Sequence, residues 1–535
     1  MRIVDINEMK EIENLAGEEY QFDERLIIEN VGSRGAEIIK KKILNNSHAS
    51  GIIFLIGRGN NGADGLAIAR HLTSLGYSAR AFLLFPKENR TEELNAQLQM
   101  AKAFGVKINR IEDIDQLSSY CSQLAGNIIF IDAVFGTGVR LPLSNFLYEV
   151  IDFVNTNSSY TISVDIPSGV EGDTGFIQGK AVNADLTLAV GLPKLGYYEA
   201  DGVRLVGEVE VMDVGFPREL LTKGNKFLLR LEDVIDPANR RDKFADKKVF
   251  GHALCIGGSH GLTGALVMAS QAALKVGAGV VTAVTWEPQY REMIERLIPE
   301  VMTGYVPLDT ARWPNLIKNL NKYSSIVIGP GLARSTRARR LVLEVLNNFN
   351  GPVVLDADAI NVLKLEEDKN VFTMRNAPTV LTPHLGEFAR FYGVEYQELE
   401  RRPVEYLKSL VDQINCSVIL KGPCTYLGFS DGNVFFNYYP NDGMATGGVG
   451  DVLAGVLGGL LGQDPELKDA SVTLSERYEI FNQTIGLAVL AHTMSGHFAA
   501  EKLGVRAMTA LSLADYFPQT FQELEKQIEK IIYGE

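Results

Sequence analysis

Apolar positions recur along the chain at two spacings. Ile6, Met9, Ile12 and Ala16, with Glu13 on the same stripe, fall three to four residues apart and predict an amphipathic helix; Leu26–Leu44 predicts a second. Short apolar runs then alternate with helical patterns. Gly51–Ile56, Ala79–Phe85, Asn127–Asp132 and Tyr160–Asp165 predict strands, and Ala63–Leu75 and Thr91–Phe104 predict helices between them. Ala184–Val190 and Val209–Val214 are strand-like. The polar stretch Leu231–Val249, with Pro237, places a domain boundary near residues 216–245. Alternation restarts with His252–Ile256, Gly279–Val284, Ile326–Gly329, Val353–Asp356, Thr379–Leu381 and Ser417–Leu420, and a glycine-rich helix begins near Gly447. Apolar strands alternating with helices predict parallel sheets covered on both faces, hence an α/β protein.

Length agrees with two such units, 1–220 and 226–535, because one core rarely grows past about 250–300 residues. Hydrophobic residues make up 46% and charged residues 22% of the 535, as in ordinary globular domains. The net charge of −14 argues against nucleic-acid or membrane partners. It leaves room for a phosphate site, since backbone N–H groups bind anions without basic residues. Cys121, Cys255, Cys416 and Cys424 show neither CxxC spacing nor a companion His cluster, so no disulfide or zinc site is expected and a cytoplasmic location fits. The opening residues are too polar for a signal peptide. No apolar run reaches the roughly 18–20 residues of a membrane span.

In open parallel sheets, ligands bind beyond the C-terminal strand ends. Polar clusters follow Ile56 and Ile256 and gather at Asp132, Asp165, Gly331, His384 and Lys421, which marks two built sites. In the first, GRGNNGADG (Gly57–Gly65) joins strand to helix. Its glycines would expose N–H groups to an anion, whereas Asn60, Asn61 and Asp64 need another reason. The plain alternative makes an asparagine a turn residue and Asp64 a helix cap. IDAVFGTGVRLPL (Ile131–Leu143) adds Asp132 and the turn Gly136-Thr137-Gly138; VDIPSGV (Val164–Val170) adds Asp165 and Ser168. Converging amide and carboxylate oxygens suit a hard cation, and a nearby aspartate suits proton transfer.

These motifs, with IIENVG (Ile27–Gly32) and TLAVGLPKLG (Thr187–Gly196), resemble the NAD(P)H-hydrate epimerase domain from about Met1 to Pro217. The resemblance implies a Rossmann-like three-layer α/β/α sandwich that interconverts R and S hydrates of NADH and NADPH. It implies that Asn61, Asp132 and Ser168 hold potassium. The substrate would be contacted by Asn60, Asn61, Gly62, Ala63 and Asp64 and by Gly136, Thr137, Gly138, Val139, Arg140, Leu141 and Pro142, with Asp165 facing the damaged ring. Ala63 stands where the family usually has glycine.

The second half carries GHALCIGGSHGLTGA (Gly251–Ala265), IVIGPGLAR (Ile326–Arg334), VLDADAINVL (Val354–Leu363), LTPHLGEFARFYG (Leu381–Gly393), VILKGPCTYL (Val418–Leu427) and GMATGGVGDVLAGVLGGLLG (Gly443–Gly462). Glycines before a helix offer an N–H cradle. Asp451 there makes sense as a base taking a hydroxyl proton while the cradle stabilises a transferring phosphoryl group, or more plainly as a capping residue.

This set resembles the ribokinase-like superfamily in its NAD(P)H-hydrate dehydratase branch, from about Lys226 onward, including GLAVLAH (Gly486–His492) and LSLADYFP (Leu511–Pro518). It implies a ribokinase-like α/β domain that spends ADP to dehydrate the S hydrate, giving NADH or NADPH, AMP and phosphate, with magnesium. By resemblance Ala265, Gly331, His384 and Asp451 hold the hydrate, and Lys421, Gly422, Pro423, Cys424, Thr425 and Gly450 hold the nucleotide; Asp165 and Asp451 are the two catalytic groups. Val449 replaces a frequent Ser or Thr, and Asp464–Phe481 reads as an insertion. The small-molecule enzyme so implied is expected as a homo-oligomer. The rivals are a vitamin-precursor kinase fused to a non-catalytic Rossmann-like binding domain, and a dehydrogenase, whose GxGxxG fingerprint Gly57, Gly59 and Gly62 fit only loosely.

Overall fold

In the computed structural model, consecutive residues of one strand, Ala49–Ile56 (β1), enter two different cores. Ile52, Phe54 and Ile56 pack on one side of their sheet and Ile53 and Leu55 on the other. A strand buried on both faces has no solvent side to make polar, which is why its sequence is an unbroken apolar run. The described residues are 1–45, 49–85, 90–124, 126–138, 142–235, 244–307 and 310–533. The chain divides into two compact units, Arg2–Lys226, and Phe227–Glu535 with Met1.

The first unit continues with β2 (Ala79–Leu83), β3 (Lys107–Arg110), β4 (Asn127–Ala133), β5 (Tyr160–Val164), β6 (Leu186–Val190) and β7 (Glu208–Met212). The sheet order is β3-β2-β1-β4-β5-β6-β7, and every pairing is parallel. The helices Glu24–Ile39 and Asn60–Ser74 pack on one face, and Ile114–Cys121 and Asn145–Asn157 on the other. This is the Rossmann-like three-layer arrangement. Strand order reverses between β1 and β4, so a crevice opens where these two strands end. The predicted second helix stops at Ile39 and continues as a π-helical turn, Lys40–Leu44.

The other sheet has ten strands: β8 (Lys226–Leu228), β9 (His252–Ile256), β10 (Val280–Thr285), β11 (Met302–Tyr305), β12 (Ser325–Ile328), β13 (Val353–Leu355), β14 (Thr379–Leu381), β15 (Ser417–Leu420), β16 (Cys424–Gly428) and β17 (Val434–Tyr438). Their order is β11-β10-β9-β12-β13-β14-β15-β16-β17-β8, parallel from β11 to β15 and antiparallel across β15-β16-β17. The glycine-rich helix is Val449–Leu461, and it lies directly on helix Thr263–Lys275 and on β12. A Cβ on Gly455 would come to 2.0 Å from the Ala269 carbonyl oxygen, on Gly458 to 2.1 Å from Val327 Cγ2, and on Gly459 to 2.6 Å from Val276 Cγ2. The segment expected as an insertion forms a short 3₁₀ turn, Pro465–Lys468, and the first two turns of the 30-residue helix Leu474–Leu503, capped by Thr473. Among the described residues no helix is long and apolar enough to cross a membrane.

Candidate active sites

The first crevice is built by close backbone approach. A Cβ on Gly57 would lie 1.8 Å from the Val134 carbonyl oxygen, on Gly62 2.5 Å from the Gly57 carbonyl oxygen, and on Gly65 2.4 Å from Ala133 Cβ. These three glycines therefore draw the ends of β1 and β4 and the start of helix Asn60–Ser74 together. Gly59 meets nothing within 4 Å and is the one of the four open to an anion. Packing, not only anion binding, accounts for the glycine pattern. Ala63 is helical and fully buried, so its position requires no glycine conformation.

Asn61 turns its side-chain amide inward, and neither Oδ1 nor Nδ2 has a hydrogen-bond partner although both atoms are buried. An unsatisfied buried polar group costs about 1–3 kcal/mol, so such an amide calls for a ligand. A Cβ on Gly136 would stand 3.4 Å from Asn61 Cγ and 3.5 Å from Asp165 Oδ2, which brings those two side chains to the same turn. Just beneath it, fully buried Asp132 accepts from Ser168 N (2.8 Å), Ser168 Oγ (2.6 Å), Ser163 Oγ (3.0 Å) and Val134 N (3.2 Å). Ser168 Oγ accepts in turn from Phe135 N at 3.0 Å. Burial raises the proton affinity of Asp132, and the Ser168 bonds act against it.

Asp165 follows β5 with φ of +66°, a left-handed conformation uncommon outside glycine. Its Oδ1 accepts from Lys194 Nζ, itself 1% exposed, and from Val190 N at 3.3 Å; Lys194 Nζ also donates to the Val190 carbonyl at 2.9 Å. Asp64 lies nearby with no cation bonded to it. Burial, then the charges of Asp165, Glu13 and Glu24, hold its carboxyl well above the usual range. Burial raises Glu13 as well.

A cavity of about 780 Å³ is lined by Asn60, Asn61, Asp64, Gly136, Thr137, Gly138, Pro142, Asp165 and Lys194, with Glu13 on the opposite wall. Asn60 also bonds Glu24 through its Nδ2. Gly62 and Ala63 lie behind this wall, packed in the core, and Asp132 and Ser168 sit in the buried network below it. Val139, Arg140 and Leu141 lie outside the described residues.

In the second unit the strand ends of β9, β12, β13, β14 and β15 converge. Asp356, 1% exposed, accepts at Oδ1 from Lys421 Nζ (2.8 Å) and Thr382 Oγ1 (2.6 Å). Ala357 follows with φ of +48°, and Asp358 accepts from Ala333 N at 2.9 Å and pairs with Arg334 at 3.2 Å. His384 caps helix Leu385–Tyr392: its Nδ1 accepts from Gly386 N at 3.0 Å, and its own N–H donates to Glu387 Oε2 at 3.0 Å. His384 also forms a parallel bridge with Lys421. Gly331 has φ of +62°, and a Cβ there would meet the Leu262 carbonyl oxygen at 2.3 Å, which holds the GPG turn against the glycine turn after β9. Ser259, in that turn, has a buried Oγ with no partner. Ala265 sits in the first turn of the adjoining helix Thr263–Lys275.

Gly448, with φ of +96°, caps helix Val449–Leu461, and Gly447 before it is open on the side where a Cβ would project. A Cβ on Gly450 would stand 3.1 Å from Lys421 Nζ, so the ammonium faces the first turn of the helix. Asp451 follows in that turn. Burial, together with Asp356 and despite Lys421, pushes its carboxyl up to about 7. Burial pulls Lys421 down, but Asp356, Glu387 and Asp451 outweigh this and raise it. Behind the turn, His492 Nε2–H donates to the Val449 carbonyl at 3.1 Å; burial lowers this imidazole to about 4, so it is neutral. The backbone at 449 is thereby held without a Ser or Thr hydroxyl. Gly422 and Pro423 form the turn between β15 and β16. Thr425 Oγ1 bonds the Gly422 carbonyl at 3.4 Å, and the Cys424 side chain is buried.

Sequence reasoning did not single out Lys194 or Thr382. Lys194 occupies a strand-end position, four residues after β6 in the quoted TLAVGLPKLG, and that placement was the available signal.

A family profile described as NAD(P)H-hydrate dehydratase matches residues 253–519, and one described as YjeF-related protein N-terminus matches residues 24–196. The chain is 34% identical over 541 residues to a bifunctional NAD(P)H-hydrate repair enzyme of Moorella thermoacetica, covering 99% of each, and 31% identical to that of Thermofilum pendens, covering 99% of this chain and 98% of the relative. An ADP/ATP-dependent NAD(P)H-hydrate dehydratase from Bacillus subtilis, 28% identical, aligns with 56% of this chain and 98% of its own at a TM-score of 0.47. Two strand-end sites in this order, with a relative matched along the whole length, place the chain in the family of bifunctional NAD(P)H-hydrate repair enzymes.

Proposed function

We propose that the first unit interconverts the R and S hydrates of NADH and NADPH, and that the second dehydrates the S hydrate at the expense of ADP, giving the reduced dinucleotide, AMP and phosphate. The observation that carries this reading is Asp451: a half-buried carboxyl near neutrality at a glycine-rich helix start, beside the Lys421 ammonium. A base near pH 7 suits removal of a hydroxyl proton at physiological pH. The hydrate's hydroxyl then attacks the terminal phosphate of ADP. Its oxygen becomes a phosphate ester, AMP leaves, and phosphate then departs from the ring more readily than hydroxide would, the neighbouring ring carbon giving up a proton as the double bond forms. Lys421 and the amides near Gly450 offset the charge of the transferring group. Magnesium would arrive on the nucleotide's phosphates, since no cluster of three His, Cys, Asp or Glu able to hold an ion occurs among the described residues.

In the first unit, Asp165 handles protons at the ring hydroxyl. The unpartnered Asn61 amide fits a potassium ion; Asp132 and Ser168 would complete its ligands, Ser168 Oγ bonding Phe135 N next to the Gly136 turn that Asn61 meets. The ion would supply positive charge beside the dinucleotide. The test is recovery of reduced-nicotinamide absorbance from hydrated NADH with ADP or ATP, with and without potassium. Recovery from both epimers supports the reading. A phosphorylated hydrate as end product, or no turnover with either nucleotide, overturns it.

A further inference from the structure

Among the described residues, the epimerase cavity gathers acids around the buried Lys194 ammonium. Asp165 touches Lys194, and Asp64, from helix Asn60–Ser74, and Glu13, from helix Ile6–Tyr20, both feel Lys194 and Asp165. The fully buried hydroxyl of Tyr197 has no partner, and its ring also faces Asp165. Glu24 adds a further negative charge near Asp64. Asp64 and Asp165 are buried, and like charges so placed repel one another unless a proton or a cation intervenes. Lys194 bonds Asp165 and, among these acids, only Asp165.

The geometry is also selective within that carboxylate. Lys194 Nζ and Val190 N both bond Oδ1. Oδ2 faces the Gly136 turn and receives no hydrogen bond among the described residues. The lysine itself is fixed from behind. Its backbone bridges Val4, with Val4 N bonding the Pro193 carbonyl at 3.0 Å and Leu195 N bonding the Val4 carbonyl at 2.8 Å. Its ammonium is pinned by the Val190 carbonyl, and the described residues give the third hydrogen no acceptor.

We propose that Lys194 is the positioning residue of the epimerase site: it anchors Asp165 Oδ1 and leaves Oδ2 as the oxygen that exchanges a proton with the ring hydroxyl. The inference rests on the epimerase reading above. It names which carboxyl of the cavity is the base, and it gives Asp64, which lacks a cation, the neutral state. Removing the ammonium would leave Asp165 Oδ1 with only the long bond from Val190 N, and the carboxylate would lose its aim.

The test uses the full chain with Lys194→Met and Lys194→Arg, measuring epimerisation of the R hydrate and, on the same preparation, dehydration of the S hydrate. Lys194→Met is expected to lower the epimerase kcat by about 100-fold or more, a general-base effect, while KM changes by less than about threefold. Lys194→Arg should recover most of the rate, and dehydration of the S hydrate should be unchanged throughout. If Lys194→Met melts early, Lys194→Met/Asp165→Asn, which removes both charges, gauges folding and Lys194→Arg decides the outcome. Epimerisation within about threefold of wild type, a loss confined to KM, or an inactive but folded Lys194→Arg would overturn the role. A wild-type chain that dehydrates but does not epimerise overturns the reading of the cavity instead, and shows before any variant is made.

Discussion

Lys421 Nζ stands 2.8 Å from Asp356 Oδ1 and faces the backbone at Gly450, one residue before Asp451. One ammonium thus serves a buried carboxylate on one side and the phosphate-facing end of a helix on the other. Lys421→Met should therefore do two things. Nucleotide binding weakens, and Asp451, losing a nearby positive charge, takes up its proton at higher pH than before. The expected result is a KM for ADP raised by about tenfold or more, with the acid limb of dehydration displaced upward in pH. Steady-state kinetics from pH 5.5 to 9 measures both.

Asp451 itself sets the pH dependence of the wild-type reaction. With its carboxyl near 7, about half is ionised at pH 7 and about a tenth at pH 6, so dehydratase kcat should fall about fivefold between pH 7 and pH 6 beyond any change in binding. Asp451→Asn should remove that limb along with about 10³-fold of the rate. The stability sign is opposite. The folded chain binds this proton more tightly than the unfolded one, so the group costs stability as pH rises from 3.8 to about 7. Asp451→Asn should melt higher than wild type at pH 8, and calorimetry checks this.

Asp165→Ala should abolish R-to-S conversion while leaving dehydration of the S hydrate intact, since Asp165 and Asp451 sit in different units. Supplying the pure S epimer to the variant separates the two activities.

Asn61→Ala removes the amide that has no protein partner. It should leave the melting temperature nearly unchanged while raising the potassium concentration needed for half-maximal epimerisation. A titration with potassium chloride against choline chloride reads the shift; equal rates in the two salts would exclude the ion's role.

The glycines separate into two kinds that behave differently. Gly455→Ala drives a methyl to 2.0 Å from a backbone carbonyl and should cost about 3 kcal/mol or more, whereas Gly59→Ala meets nothing within 4 Å and should fold normally. Denaturant melts of the two variants make the comparison.

Most of this architecture was legible because strands buried on both faces have no choice but to be apolar: β9, β14 and β15 occupy the residues their hydrophobic runs predict. β3 was missed because its side chains are largely exposed at a sheet edge, so Lys107–Arg110 carries no apolar run. The hairpin β16-β17 was missed because Thr425 and Asn437 interrupt its pattern with polar residues. At the sites, residue types at strand ends pointed to loops that the fold brings together, but not to what each glycine was for. Gly57 and Gly62 looked like phosphate-binding positions and are contact points between backbones, a distinction that only the neighbouring chain reveals. Lys194 went unnoticed because a lone lysine in a loop carries no periodicity, and its partner lies 29 residues away.

The base of the dehydratase rides on a helix whose glycines are pressed against a neighbouring helix and a strand. Such a seat leaves Asp451 almost no play. Whatever accommodation the reaction demands must come from the incoming molecules, and a guest only slightly longer or bulkier than the natural one meets a wall that does not yield. Selectivity at this end of the enzyme is thus a matter of rigid dimensions, and widening it by design means reworking the spine beneath the site before touching any group that faces the guest.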